Sequence, residues 1–291
     1  MRKLSADWRL HTGEDDEDTA VGPGIDVQAY VWSVLGNRTP AGITELDIFS
    51  FAKGGKPGGG GGGGSGGDGV LTQYLSGSPG DTGYDIWIDF KGSGWTAELQ
   101  QAFINAADYF TTVITTDIGG GGLYRGKIID DLYIAAEVKA IDGVNGVLGS
   151  AGPTAVWTAN DLTAAGRMQF DVADASALLG EGLWNDTVTH EFMHVLGFGT
   201  LWDYGDHSDL VTGYQYTGDY ALAAYDPNAT HIPIEDDGGS GTAGGHWDEQ
   251  QLDNELMTGW IDPDNYLSDF SVMVLADLGY TLEYQGWPLV A

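Results

Sequence analysis

From Asn185 to Phe198 the chain reads Asn-Asp-Thr-Val-Thr-His-Glu-Phe-Met-His-Val-Leu-Gly-Phe. Val188, Phe192, Val195 and Leu196 recur at helical spacing and supply a buried side, and Asn185 or Asp186 could cap the start. On such a helix His190 and His194 are i and i+4, so both imidazoles lie on one face, one turn apart. Two nitrogens at that separation can close on one zinc ion at about 2.0–2.1 Å. Glu191 lies roughly 100° around the helix from His190. It can therefore reach a water in an open metal position without itself being a ligand. The chemistry this suits is metal-assisted hydrolysis, with Glu191 as general base.

The pattern is the His-Glu-x-x-His arrangement of zinc peptidases. Its plain alternative is two surface histidines on an amphipathic helix, which leaves the glutamate between them without a role. A catalytic zinc needs a third protein ligand while one position stays open. In the short form of the motif that ligand is a histidine six residues after the second, but Thr200 stands there. The third ligand must then be His207, His231, His246 or a downstream carboxylate. His11 lies beyond a glycine-rich stretch and is a poor candidate.

Several elements must position these groups. Tyr84 to Phe90 alternates with Ile86, Ile88 and Phe90 on one side, which predicts a half-buried strand. Thr96 has N-cap chemistry, and Leu99, Phe103, Ala107, Phe110 and Ile114 predict an amphipathic helix over 97–115. Leu132 to Val138 and Met168 to Val172 read as further strands. Gly146 to Trp157, interrupted by Pro153, suits an edge strand or an irregular segment. Ser268 could cap a last helix carrying Phe270, Val274, Leu275 and Leu278, closed by Gly279. This order of strands and helices is α+β.

Gly54 to Gly69 is almost all glycine and reads as a flexible linker. Its window Gly63 to Leu71 fits a calcium β-roll nonapeptide, but one copy cannot stack on itself, so the linker reading is preferred. The expected division is a segment of unassigned role over 1–53, the linker over 54–69, a first subdomain over 70–197 with the histidine helix, and a second over 198–291. Met1 to Leu10 starts basic but has no apolar core, so a cleavable signal peptide is not expected. No apolar run reaches the ~20 residues of a membrane span.

Composition excludes other classes. The chain has 291 residues, 43 acidic against 11 basic, a net charge of −32 and no cysteine. Disulfides, cysteine-ligated metals and thiol nucleophiles are thereby ruled out. A polyanion of this kind is a poor partner for nucleic acid and for anionic membranes. The last basic side chain is Arg167, so residues 168–291 carry 22 acidic groups and no Lys or Arg. Asp203, Asp206 and Asp209 crowd the loop after the histidine helix and could bind Ca2+, although a solvated acidic loop is the plainer reading. An acidic cleft would also favour cationic peptides.

Beyond the helix, Gly197-Phe198 follows His194, and a long insertion leads to Gly244-Gly245-His246-Trp247. Asn254-Glu255-Leu256-Met257-Thr258 comes next. In these features the chain resembles the leishmanolysin-type metzincins, with softer matches at Ile141 to Gly143, Leu148 to Pro153 and Gly166 to Asp171 that resemble bacterial members. The resemblance runs from about 84 to 280. It implies a metzincin-type fold: a twisted mixed sheet with the active-site helix in an N-terminal subdomain, and an irregular C-terminal subdomain ending in a helix. It further implies one catalytic Zn2+ held by His190, His194 and His246, with Glu191 as catalytic base and Met257 as the Met-turn residue. Protein or peptide substrates and extracellular action follow from the same resemblance.

Two departures stand out. Protozoan members use a cysteine in a pro-segment to block the zinc, which this chain cannot do; if the protein has latency, His11 or the run Glu14 to Asp18 could mask the metal instead. The tyrosine two residues after the Met-turn methionine is replaced by Gly259, so no separate oxyanion-stabilising side chain is expected. The competing readings are a catalytically silent relative that binds proteins or glycans, and a purely structural zinc. The intact glutamate argues against both, as does the lack of a nearby fourth histidine or cysteine ligand against the second.

Overall fold

The structure is a computed structural model that describes residues 2–3, 69–77, 83–115, 117, 122–124, 127–141, 143, 148–237, 239 and 241–284. The 1–53 segment other than residues 2–3, the linker and most of the β-roll window lie outside the described residues, as do the latency candidates His11 and Glu14 to Asp18.

A five-stranded mixed sheet organises the chain. Its strands are β2 (Gln73–Ser76), β3 (Ile86–Lys91), β6 (Leu132–Lys139), β7 (Gly149–Val156) and β8 (Thr163–Asp171), in spatial order β2-β3-β6-β8-β7. β3, β6 and β8 run parallel, while β2 and β7 close the two edges antiparallel. Pro153 sits in β7, where its missing N–H faces no further strand, as the edge-strand expectation requires. β8 begins five residues earlier than its apolar run predicts, because Thr163 pairs with β7 and Ala165 to Arg167 pair with both neighbours.

Helix α1 (Ala97–Val113) crosses from β3 to β6, capped by the Thr96 hydroxyl accepting from Leu99 N–H at 3.2 Å. Its apolar stripe packs on Ile86, Ile88 and Phe90. Phe103 sits at the middle of an aromatic cluster, with Phe90, Trp95, Phe170, Trp184 and Phe192 rings all at 5.2–6.2 Å from its own. Such edge-to-face pairs add to the area buried. The strand β3 is more buried than its alternation predicts. Asp89, on the opposite face, is also enclosed and is held by Lys91 at 2.7 Å, Lys127 at 2.8 Å and the Tyr133 hydroxyl at 2.9 Å. Lys127 comes from the hairpin β4 (Gly122–Tyr124) and β5 (Lys127–Ile129), which covers that face and also lays the ammonium over Trp87.

Helix α2 (Val172–Glu181) follows β8, with Asp171 as N-cap, and α3 (Trp184–Leu196) carries the histidines. α3 packs on α1 and on β7 and β8. Gly166 permits the close approach, since a Cβ there would stand 2.5 Å from Val195 Cγ1. Asn185 and Asp186 do not cap α3. The helix starts one residue before Asn185, at Leu183–Trp184, with no side-chain cap, and Asp186 lies in its first turn beside Asn265.

After α3 the chain is irregular. It contains a short 3-10 turn (Gly205–His207), β9 (Gln215–Tyr216) paired with β10 (Ile232–Pro233), α4 (Asp219–Tyr225) and α5 (Glu249–Leu252). β11 (Trp260–Ile261) pairs with β1 (Arg2–Lys3), and α6 (Asp269–Asp277) comes last, capped by Ser268 as expected. Among the described residues no helix is long and apolar enough to cross a membrane.

Candidate metal centre

Three histidines converge in the interior. The Nε2 atoms of His190 and His194 are 2.9 Å apart, those of His194 and His246 3.0 Å, and those of His190 and His246 3.2 Å. All three side chains are fully buried. Helical geometry alone brings the first two together. The third arrives from a segment 52 residues beyond His194.

Each imidazole is aimed by a backbone carbonyl. His190 Nδ1 donates to Leu256 O at 2.7 Å, His194 Nδ1 to Phe198 O at 2.9 Å, and His246 Nδ1 to Thr242 O at 2.9 Å. A carbonyl oxygen only accepts, so each Nδ1 carries the proton. Burial pushes the imidazole of His190 down to about 3 and that of His246 to about 4, and neighbouring His190 and His246 help burial hold His194 well below its usual range. The rings are therefore neutral, and three bare Nε2 lone pairs face one another. Such a set is repulsive by itself and suits a cation. Ligand nitrogens at about 2.0–2.1 Å from a tetrahedral zinc stand roughly 3.4 Å apart, close to the observed triangle. An all-imidazole set with carbonyl-oriented Nδ1 groups is the donor chemistry of zinc, so the residues fit that ion.

Local sequence explains the aiming. α3 ends at Gly197, whose φ of +119° places it in the left-handed region. Phe198 N–H then returns to Met193 O, and the Phe198 carbonyl is left facing His194. Thr200, where the short motif would have its histidine, instead donates its hydroxyl to His194 O at 2.7 Å. Gly199 allows the chain to pass against Gly245, just before His246.

Met257 is fully buried and ties the centre to the last helix through its backbone. Trp247, next to His246, donates its N–H to Met257 O at 3.0 Å, and Leu256 supplies the carbonyl for His190. Met257 N–H donates to Glu255 Oε2. Glu255 Oε1 also accepts from Ser268 N–H at 3.0 Å and from the Ser268 and Ser271 hydroxyls at 2.6 Å each. Ser271 in turn accepts from Trp247 Nε1 at 2.7 Å. Glu255 and these serines form a buried hydrogen-bonded support that residue spacing does not reveal. Their only sequence signal is the Glu-Leu-Met triplet itself.

Gly259 has a packing reason. A Cβ there would run into the Thr242 methyl, and Thr242 provides the carbonyl that orients His246. Glu191 is fully buried beside His190, and neither carboxylate oxygen has a hydrogen-bond partner within the protein. Burial pushes this carboxyl up to about 8.

The other candidates stand apart. His207 lies in the 3-10 turn, and His231 borders a surface cavity with Tyr214, Asp236 and Asp248. Among the described residues the only histidine trio able to share a metal is His190, His194 and His246. The side chain of Asp206, in the candidate calcium loop, lies outside the described residues; among those described, the acidic trios are Glu235, Asp236 and Asp248, and Glu249, Asp253 and Asp262.

The profile of the leishmanolysin peptidase family matches residues 221–286, the part that holds His246 and Met257. A leishmanolysin homolog of Crithidia fasciculata is 30% identical over 163 residues, covering 51% of this chain and 24% of that protein. The chain thus spans about a quarter of the relative's length.

Proposed function

Starting from a leishmanolysin-like chain, we propose that this protein is a zinc-dependent endopeptidase. One observation carries the reading: three neutral, buried imidazoles present unprotonated Nε2 atoms to one point, with an unpartnered glutamate next in the helix. His190, His194 and His246 would hold the ion. Bound zinc supplies Lewis acidity toward a peptide carbonyl and acidifies water. Glu191 takes the proton of the attacking water on its carboxylate and passes it to the leaving amine. Its dry surroundings strengthen that transfer, because no competing donor holds the carboxylate. Met257 and Leu256 form the floor that keeps His190 in register. Residues 70–197 and 198–291 would be two subdomains flanking the cleft, and the family resemblance suggests that the protein acts outside the cell on protein or peptide substrates.

The test is Glu191→Gln. The variant should retain one zinc per chain by metal analysis and lose casein hydrolysis by at least 1,000-fold. Turnover at the wild-type rate would overturn the assignment of the base. Zinc loading without hydrolysis in the wild type would favour a catalytically silent relative.

A further inference from the structure

A second cluster lies beyond the histidines. Glu249 in α5, Asp253 just after it and Asp262 just after β11 bring one carboxylate oxygen each to within 4.8 Å of the others. Clustered acids are ordinary on so acidic a chain, and clustering alone says little. Burial at two of its members sets this trio apart, Asp253 being exposed. Asp262 is only 6% exposed, and its Oδ2 accepts no hydrogen bond. Both Glu249 carboxylate oxygens are also shut off from water and accept no hydrogen bond, the nearby Thr258 hydroxyl being turned to the Asp253 and Trp260 carbonyls. A neighbouring trio, Glu235, Asp236 and Asp248, differs here. The Glu235 oxygens are occupied by the N–H groups of Asp237 and Glu249.

No lysine or arginine occurs after Arg167; β1 runs Arg2 and Lys3 alongside β11, just before Asp262, yet Asp262 Oδ2 has no hydrogen-bond partner. Among the described residues the lysine–carboxylate pairs lie on the sheet, at Asp89 and Glu137. A buried carboxylate without a partner is strongly disfavoured unless it is protonated or meets a cation. The carboxyl of Glu249 is pushed upward by burial and by the charges of Asp262, Asp253 and Glu235.

We propose that Glu249, Asp253 and Asp262 bind a hard divalent cation, calcium, at a site separate from the three histidines. An all-oxygen set favours such an ion over zinc. Calcium takes oxygens at about 2.3–2.6 Å, so its ligands can stand up to roughly 5 Å apart, which is compatible with oxygens lying within 4.8 Å of one another. Magnesium demands near-ideal octahedral geometry and keeps several of its waters, so a set built from protein carboxylates suits calcium better. The site links two arms. One is the segment that follows His246, and the other is the segment that follows Met257. Those arms already meet through Trp247 N–H and Met257 O. The cation ties them at a second point and so braces the loop that presents the third histidine.

The experiment uses the full chain, loaded with zinc and freed of other metals, with zinc content measured before and after addition of calcium chloride. Wild type should bind one more Ca2+ than Asp262→Asn and show a rise in Tm that this variant lacks. Without calcium, Asp262→Asn should melt at or above wild type, because an uncompensated charge is removed; with calcium the order should reverse. Asp253→Asn should weaken calcium binding at least tenfold in the same background. Equal calcium binding by wild type and Asp262→Asn would overturn the proposal. So would a calcium-free Asp262→Asn protein that melts well below wild type, since Asp262 would then have a stabilising partner within the chain. Zinc content and Glu191-dependent hydrolysis are read separately, so failure here leaves the peptidase reading standing.

Discussion

Substitution of Glu255 tests whether the centre is held from behind rather than only by its ligands. The carboxylate accepts four hydrogen bonds: from Met257 N–H, Ser268 N–H and the Ser268 and Ser271 hydroxyls. Burial pushes its pKa up and these donors pull it back. Glu255→Gln keeps one acceptor oxygen and turns an NH2 toward donors at the other position. One charge-assisted bond is lost, worth about 1.5–3 kcal/mol. Glu255→Ala strands two buried backbone N–H groups at about 1–3 kcal/mol each, giving about 4 kcal/mol, in the range for breaking a buried charged network. For a domain of this size each kcal/mol lowers Tm by about 2–4 °C. Glu255→Gln should therefore melt roughly 3–12 °C lower, and Glu255→Ala about 8–16 °C lower. Both variants also loosen the Leu256 carbonyl that orients His190, so zinc affinity should fall about 10–100-fold, as for other losses of support behind a ligand. Differential scanning calorimetry and zinc competition with a chromophoric chelator measure the two effects. A Glu255→Gln protein with unchanged Tm and zinc affinity would refute the reasoning.

Three further outcomes are expected. His246→Ala should lose stoichiometric zinc and hydrolysis, whereas His207→Ala and His231→Ala should keep both; metal analysis of the three proteins decides. Gly197→Ala places a Cβ at a φ of +119°, 2.9 Å from Leu278 Cδ1 and 3.0 Å from Leu201 Cδ1, and should cost about 2 kcal/mol in urea unfolding, given strain of about 1–3 kcal/mol for a non-glycine residue held there. Asp277 is pushed up to about 6 by burial, despite donors from Tyr220, Ala221 and Tyr216. Its folded state binds the proton more tightly than its unfolded state, so stability should fall as pH rises from about 4 to about 6, by at most about 3 kcal/mol. The urea midpoint of Asp277→Asn should lack that decline relative to wild type.

Much of the histidine helix was legible before any coordinates. The i, i+4 spacing needs only the 3.6-residue turn, and the apolar residues around it name the buried side. The same local logic located α1 with its Thr96 cap, β3, the edge strand with Pro153, and the Ser268-capped last helix. It failed at the start of α3, where Asn185 and Asp186 have capping chemistry but the chain enters through Leu183. It also underestimated β3, because a hairpin more than 30 residues later covers the other face of Asp89.

Sequence alone determined that two imidazoles and a glutamate share one helical turn, that no thiol chemistry exists and that residues 168–291 hold no fixed cation. Spacing left His207, His231 and His246 open as third ligand, and resemblance to a family favoured the last. Only tertiary structure put His246 Nε2 at 3.0–3.2 Å from the other two, set each Nδ1 against a carbonyl, and enclosed Glu255 and Asp262. The physical reason is range. Helical periodicity acts over four residues and can be read along the chain. Burial and the meeting of groups 50 residues apart depend on how the irregular segment packs back over the sheet, and no local pattern encodes that path.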